Sequence, residues 1–107
     1  MPMRIILDAC VPRAFGLELA GHHVTTAAKL GLQCLDDGPL LDAISDLCDV
    51  FVTVDKSIRW QQRMDDRPFC TILLRSKSNR LEDLLPLAPA LLIALQFATP
   101  GKVAELP

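Results

Sequence analysis

Two aspartates stand where two apolar runs end. Asp8 closes the run from Met3 through Ile5–Ile6–Leu7, and Asp55 closes Val50–Phe51–Val52–Thr53–Val54. Neither run alternates with polar residues, the pattern of a strand buried on both faces. In an open parallel sheet, ligands gather at the carboxyl ends of the strands, so acids from two strand ends can meet in one crevice. Asp37 begins a helix whose N-terminus can face the same edge. Clustered carboxylates repel one another unless a cation or a shared proton holds them. Hard oxygen ligands suit Mg²⁺ or Mn²⁺ rather than zinc. An ion of that kind activates water and neutralises charge growing on a phosphate. With three acids or fewer, one well-held ion is favoured, a second depending on substrate. Asp37 can alternatively serve only as an N-cap, and Asp55 as a cap for the helix after it. Asp8, ahead of Ala9–Cys10, has no evident structural duty.

Other residues can support such a site. Thr53 and Asp55 are two apart and share a strand face, so the Thr53 hydroxyl can orient the carboxylate or a metal-bound water. The competing explanation is that a β-branched residue suits a strand. Cys10 is the cysteine to watch, two residues beyond Asp8. Charge is segregated: residues 1–55 carry three basic and eight acidic side chains, whereas residues 56–80 carry seven basic and two acidic. Lys56, Arg59, Arg63, Arg75, Lys77 and Arg80 are candidates for phosphate contacts, and Asn79, Gln61 and Gln62 for sugar or base contacts. The plain alternative is a solvated helix face and then an exposed loop. Trp60 can stack on a base or, more simply, anchor its short helix to the core. His22 and His23 read as structural or exposed. No glycine-rich nucleotide loop, nucleophile elbow or H-E-x-x-H motif occurs, so dinucleotide, triphosphate and serine chemistry lack support.

The elements that must position these groups alternate. Strands are expected over residues 3–8, 22–26, 50–54 and 69–74, with 102–106 as an edge strand. Pro12 opens a helix to about Ala20, with Leu17, Leu19 and Ala20 on its apolar side and Gly21 as its stop. Asp36 or Asp37 caps a helix carrying Leu40, Leu41, Ile44 and Leu47 at helical spacing. A short helix is expected over 56–63, a loop over 75–80, and a helix over 81–97. Pro86 and Pro89 split that last segment, so a turn at 81–85 precedes its main part. The result is a three-layer α/β/α domain with a mostly parallel sheet of four to five strands and right-handed crossovers.

The chain has 107 residues, half of them apolar, which suffices for one domain and one core. The stretch Leu84–Ala98 is too short and too broken by proline to span a bilayer, so no membrane partner is expected. The N-terminus does not read as a signal peptide, and a cytoplasmic location is the default. Four cysteines without a C-x-x-C pair read as small buried hydrophobes in a reducing compartment.

The order of short motifs resembles that of a PIN-like family of unknown function. Ile5–Ile6–Leu7–Asp8–Ala9–Cys10–Val11–Pro12 resembles its L-L-D-E-N-x-P opening. Gly21–His22–His23–Val24 with Thr26 is similar to its G-H-x-V-x-T segment. Asp37–Gly38–Pro39–Leu40–Leu41 is similar to its D-x-E-L-L helix start, and Phe51–Val52–Thr53–Val54–Asp55–Lys56 to its V-x-T-x-D strand end. Residues 78–87 resemble the tail of a narrower subgroup. The resemblance implies a single PIN-like domain over 1–107. It implies a Mg²⁺-dependent ribonuclease, often the toxin of a toxin–antitoxin pair, with Asp8, Asp37 and Asp55 at the acidic positions. A homodimer is implied by the same analogy. Ala9 and Cys10 stand where the family has Glu and Asn, and no acid comes after the T-x-D strand at the usual fourth position.

Three functions are compatible with these residues. The first is a metal-dependent ribonuclease, with residues 56–80 holding the phosphates. The second is a catalytically degraded PIN-like module that binds a protein or nucleic acid. The third, a phosphoacceptor receiver domain, needs an acid beside Asp8 and a lysine ending the fifth strand.

Overall fold

Unalternating apolar runs become central strands because both of their faces are covered. In the computed structural model, which describes residues 2–107, β1 (Arg4–Leu7), β3 (Val50–Thr53) and β4 (Cys70–Leu74) form the middle of the sheet. The less buried β2 (His23–Thr26) and β5 (Val103–Leu106) form its edges. The order is β2-β1-β3-β4-β5, and every pairing is parallel.

Two apolar layers sandwich the sheet, as expected for an α/β/α domain. On one face Ile5, Leu7, Val50 and Val52 pack against Phe15 and Leu19 and against Leu84, Leu91 and Leu95. On the other, Ile6 and Phe51 meet Leu40, Leu41 and Ile44 of α1 (Asp37–Ile44) and Ile58 of α2 (Ile58–Gln61). Phe51 lies edge-on to Phe69, with ring centres 6.2 Å apart. Each such fully buried side chain contributes about 1.5–3 kcal/mol.

Several local expectations change. The helix expected from Pro12 to Ala20 is a 3-10 turn over Arg13–Glu18. It is anchored by buried Phe15, while Leu17 is exposed. Its axis must sit close to β2: a Cβ on Gly16 would lie 3.1 Å from Val24 Cγ1. Leu47 falls beyond α1 and is exposed rather than on its packed face. The helix expected over 56–63 shortens to Ile58–Gln61, and Trp60 projects into solvent instead of the core, with the Arg59 guanidinium 5.5 Å from its ring centre. The proline-rich segment divides into α3 (Leu81–Leu84), a 3-10 turn at Leu85–Leu87 and α4 (Ala88–Leu95), with Pro89 tolerated in the first turn of α4. Cys48 and Cys70 are buried, Cys10 is half-buried and Cys34 is exposed; all four are free thiols. Burial pushes the Cys48 thiol up to about 12.

The connections between strands shape the site. The Arg13–Glu18 turn and the α3–α4 pair cover the same face. The first carries the chain from β1 outward to β2, and the second from β4 outward to β5, in opposite directions across the sheet. The last crossover therefore has the opposite hand to the first. The α1 and α2 connections step the other way over the other face and share the first one's hand. Right-handedness throughout is the expectation; the four connections do not all share one hand. The opposite face is already filled by α1, α2, Met64 and Phe69, so α3 and α4 pack where apolar surface remains. Loop 75–80 is thereby drawn back toward the end of β1.

Candidate functional site

The strand order reverses between β1 and β3: from β1 the chain goes to one side, then returns to the other. Ligand crevices open at the carboxyl ends of strands at such a switch point. Asp8 comes directly after β1, Thr53 ends β3, and Asp55 lies two residues beyond it. Parallel pairing sets Leu7 against Val52 and carries the Asp8 N–H to Val52 O at 2.9 Å, so the two strand ends are level.

Thr53 links the two aspartates, though not as the i, i+2 spacing alone implies. Its fully buried hydroxyl donates to Asp8 Oδ2 at 2.7 Å and accepts the Asp55 backbone N–H at 3.1 Å. It orients the Asp8 carboxylate and fixes the backbone, rather than the carboxylate, of Asp55. Asp8 Oδ2 also accepts from Cys10 Sγ at 3.5 Å, and Oδ1 from the Ala9 N–H at 2.8 Å. Burial, with smaller effects that include the Asp8 charge, pushes the Cys10 thiol up, so it stays a neutral donor. Thr53→Val keeps the shape but leaves the Asp55 N–H without its partner and Asp8 Oδ2 with only the Cys10 thiol. We expect a loss of about 1–3 kcal/mol in urea unfolding, the scale of stranding buried polar groups, with Thr53→Ser close to the parent.

Asp55 does take the capping role considered for it, but with one oxygen. Oδ1 accepts the Ser57 N–H at 3.0 Å and the Ser57 hydroxyl at 2.7 Å. Ser57 is not among the residues singled out from the sequence; the D-x-S spacing that marks such a turn is its only signal. Asp37 is the first residue of α1, and the preceding Asp36, at the cap position, makes no side-chain capping hydrogen bond. Burial pushes the Asp37 carboxyl above the usual carboxylate range, reinforced by the charges of Asp55, Asp8 and Asp36. Asp37 thus lies within reach of the charges of the other two acids, and every charge acting on it is negative.

This has a pH signature. A carboxyl raised on folding adds stability below the ordinary carboxylate range, and that stability is lost as pH rises through the raised value. Asp37→Asn should remove this component. We expect the melting temperature of the parent to fall relative to Asp37→Asn as pH rises through that window, with saturating Mn²⁺ closing the gap. Parallel melting curves across pH, with and without Mn²⁺, measure it.

Among the described residues, no group of three or more His, Cys, Asp or Glu is close enough to hold an ion as placed. Oxygen donors, excess negative charge and no neighbouring soft ligand other than a neutral thiol fit a hard divalent ion.

The expected phosphate-binding segment is differently disposed. Arg59 and Arg75 both pair with Glu105, Arg63 with Asp65 and Asp66, Lys77 with Asp83, and Arg80 with Glu82. Lys56 has no such partner among the described residues and lies next to Asp55. The Asn79 amide donates to Cys10 O at 3.1 Å, which pins loop 75–80 beside the Asp8 turn. His22 is structural: its Nδ1 accepts the Met3 N–H at 3.1 Å. No helix among the described residues is long and apolar enough to cross a membrane. Comparison with protein-family models, curated proteins and solved structures finds no match to this chain.

Proposed function

We propose that this chain is a metal-dependent ribonuclease of PIN-like type. Asp8 and Asp55 hold one Mg²⁺ or Mn²⁺, and Asp37 completes the set or orients the attacking water. What supports this reading is that Asp8 and Asp55 stand at the level carboxyl ends of β1 and β3, linked through the Thr53 hydroxyl, with Asp37 near enough for their charges to reinforce its raised proton affinity. When bound, the ion supplies an activated water and neutralises charge on the phosphate. The chain does the rest. Thr53 and Cys10 hold Asp8 Oδ2 in one orientation, Ser57 steadies Asp55, and Asp37, with its raised proton affinity, is suited to take a proton from water. Lys56 is the basic side chain nearest in sequence to the acids for a phosphate contact.

Calorimetric titration with Mn²⁺ and RNA cleavage with and without excess EDTA test the reading. Millimolar or tighter Mn²⁺ binding, lost in Asp8→Asn, supports it. Cleavage that survives EDTA removes it.

A second reading is a non-catalytic PIN-like module for a protein or nucleic-acid partner. Ala9 and Cys10 in place of Glu and Asn favour it, as does the absence of three preformed ligands among the described residues. Absence of Mn²⁺ binding at millimolar concentration would select it. The strand order also suits a receiver domain, but β5 ends at Leu106, with Pro107 rather than a lysine after it, and Asp8 has no adjacent acid. An antitoxin and a homodimer are proposed by analogy with PIN-like proteins and are tested by co-purification and by solution mass.

A further inference from the structure

Eleven basic side chains are present, and most are already matched by acids. Four are not, and two of these, Arg13 and Lys29, stand together: among the described residues no carboxylate lies within ion-pair distance of either. Both line a groove of about 690 Å³ between the Arg13–Glu18 turn and β2. A second groove of about 470 Å³ shares Arg13, Thr26 and Lys29 and continues to Ala9, the residue after Asp8. Together they form a track that starts at Ala9, beside Asp8, and runs along the β2 edge of the domain.

No Asp or Glu among the described residues lines either part of the track. The concavity in the segment expected to bind phosphate is the opposite case. There Lys77 and Arg80 share the surface with Asp83 and Glu82, which neutralise them. A polyanion gains more from two unmatched cations than from two that must first give up a carboxylate. The track's walls are set by the fold. Parallel pairing of Leu7 with Thr26 places the ends of β1 and β2 side by side, and the Thr26 hydroxyl accepts the Lys29 N–H at 3.0 Å, which fixes the turn that presents Lys29. Leu17, 81 % exposed on the same wall, offers apolar surface to an unpaired base.

We infer that this groove carries the RNA away from the carboxylates, with Arg13 and Lys29 each meeting a backbone phosphate. The inference rests on the ribonuclease reading and adds the path of its substrate. It moves the phosphate contacts from residues 59–80 to the opposite side of the switch point.

The test is the salt dependence of binding of a fluorescent oligouridylate in EDTA, so that cleavage does not intervene. Arg13→Gln with Lys29→Gln should lower the slope of log affinity against log salt by about 1.4, and affinity at 0.15 M salt by roughly tenfold, as for two lost single-strand phosphate contacts. Lys77→Gln with Arg80→Gln should leave both near the parent. An unchanged slope in the first pair, or a larger loss in the second, overturns the path. Mn²⁺ titration of the Arg13/Lys29 variant separates the two proposals: retained ion binding with an unchanged RNA slope leaves the ribonuclease reading standing and removes only the track, whereas a parent that binds neither removes both.

Discussion

Asp8→Asn should abolish metal-dependent cleavage while the domain stays folded. Asparagine keeps the size of the side chain and removes its charge. We expect a fall on the order of 10²–10³-fold or more, the scale seen when one electrostatic group is lost at a reacting centre. Three groups donate to the two Asp8 oxygens: the Ala9 N–H, the Thr53 hydroxyl and the Cys10 thiol. An asparagine can offer its single oxygen to only one side, so a donor meets the new amide on the other. That costs about 1 kcal/mol, partly offset because Asp37 loses one of the negative charges acting on it. The signature is therefore threefold: activity lost, Mn²⁺ heat lost, and a smaller pH dependence of stability at Asp37. Asp55→Asn should repeat the first two, with a further stability loss through Ser57. If cleavage in either variant matches the parent, the reaction occurs elsewhere and the carboxylates serve only the fold.

The strands and the acids at their ends were legible because the signal is local. A run such as Val50–Val54 has no polar face, so it must lie inside a sheet, and an acid at its carboxyl end must lie at the sheet edge. Both conclusions need only the residues themselves. The helices were less legible where tertiary packing decides their form. Between Pro12 and Ala20 propensity permits a helix, but the segment forms a 3-10 turn close against Val24, anchored by Phe15 and Leu19, while Leu17 of the apolar side that the sequence displays stays exposed. Trp60 is similar: nothing in Ile58–Gln61 reveals that Ile58 alone fills the core position. The pairing of the basic segment was hidden for another reason. Counting charge by segment ignores acids distant in sequence, and Glu105 from the last strand matches both Arg59 and Arg75. Arg13 and Lys29, isolated in an acidic half of the chain, gave no signal because their importance lies in the carboxylates that the fold keeps away from them.

Gly101→Ala should be the most destabilising small substitution outside the core and should leave the ion site intact. Gly101 has φ +83°, and a Cβ there would stand 2.5 Å from the Asp65 carbonyl oxygen. Left-handed backbone costs a residue with a Cβ about 1–2 kcal/mol. Displacing the Asp65 backbone adds about 1–3 kcal/mol, the usual range for overpacking. Together these come to a loss of about 3 kcal/mol in denaturant unfolding. Gly31→Ala is the control: it has φ +75° but open space around the new methyl, so only the backbone component applies. The difference between the two variants isolates the clash. The damage should be confined to one edge. The Gly101 N–H donates to Phe69 O, and the next residue's carbonyl accepts the Thr71 N–H, so this turn delivers β5 to β4. Asp8 and Asp55 belong to the ends of β1 and β3, on the far side of β4. Below its melting range the variant should therefore bind Mn²⁺ as the parent does. A loosened β5 should also release Arg59 and Arg75 from Glu105, and if those side chains are held away from RNA only by that pairing, the variant will bind oligouridylate more tightly than the parent. Unaltered RNA affinity would remove Arg59 and Arg75 from the phosphate contacts.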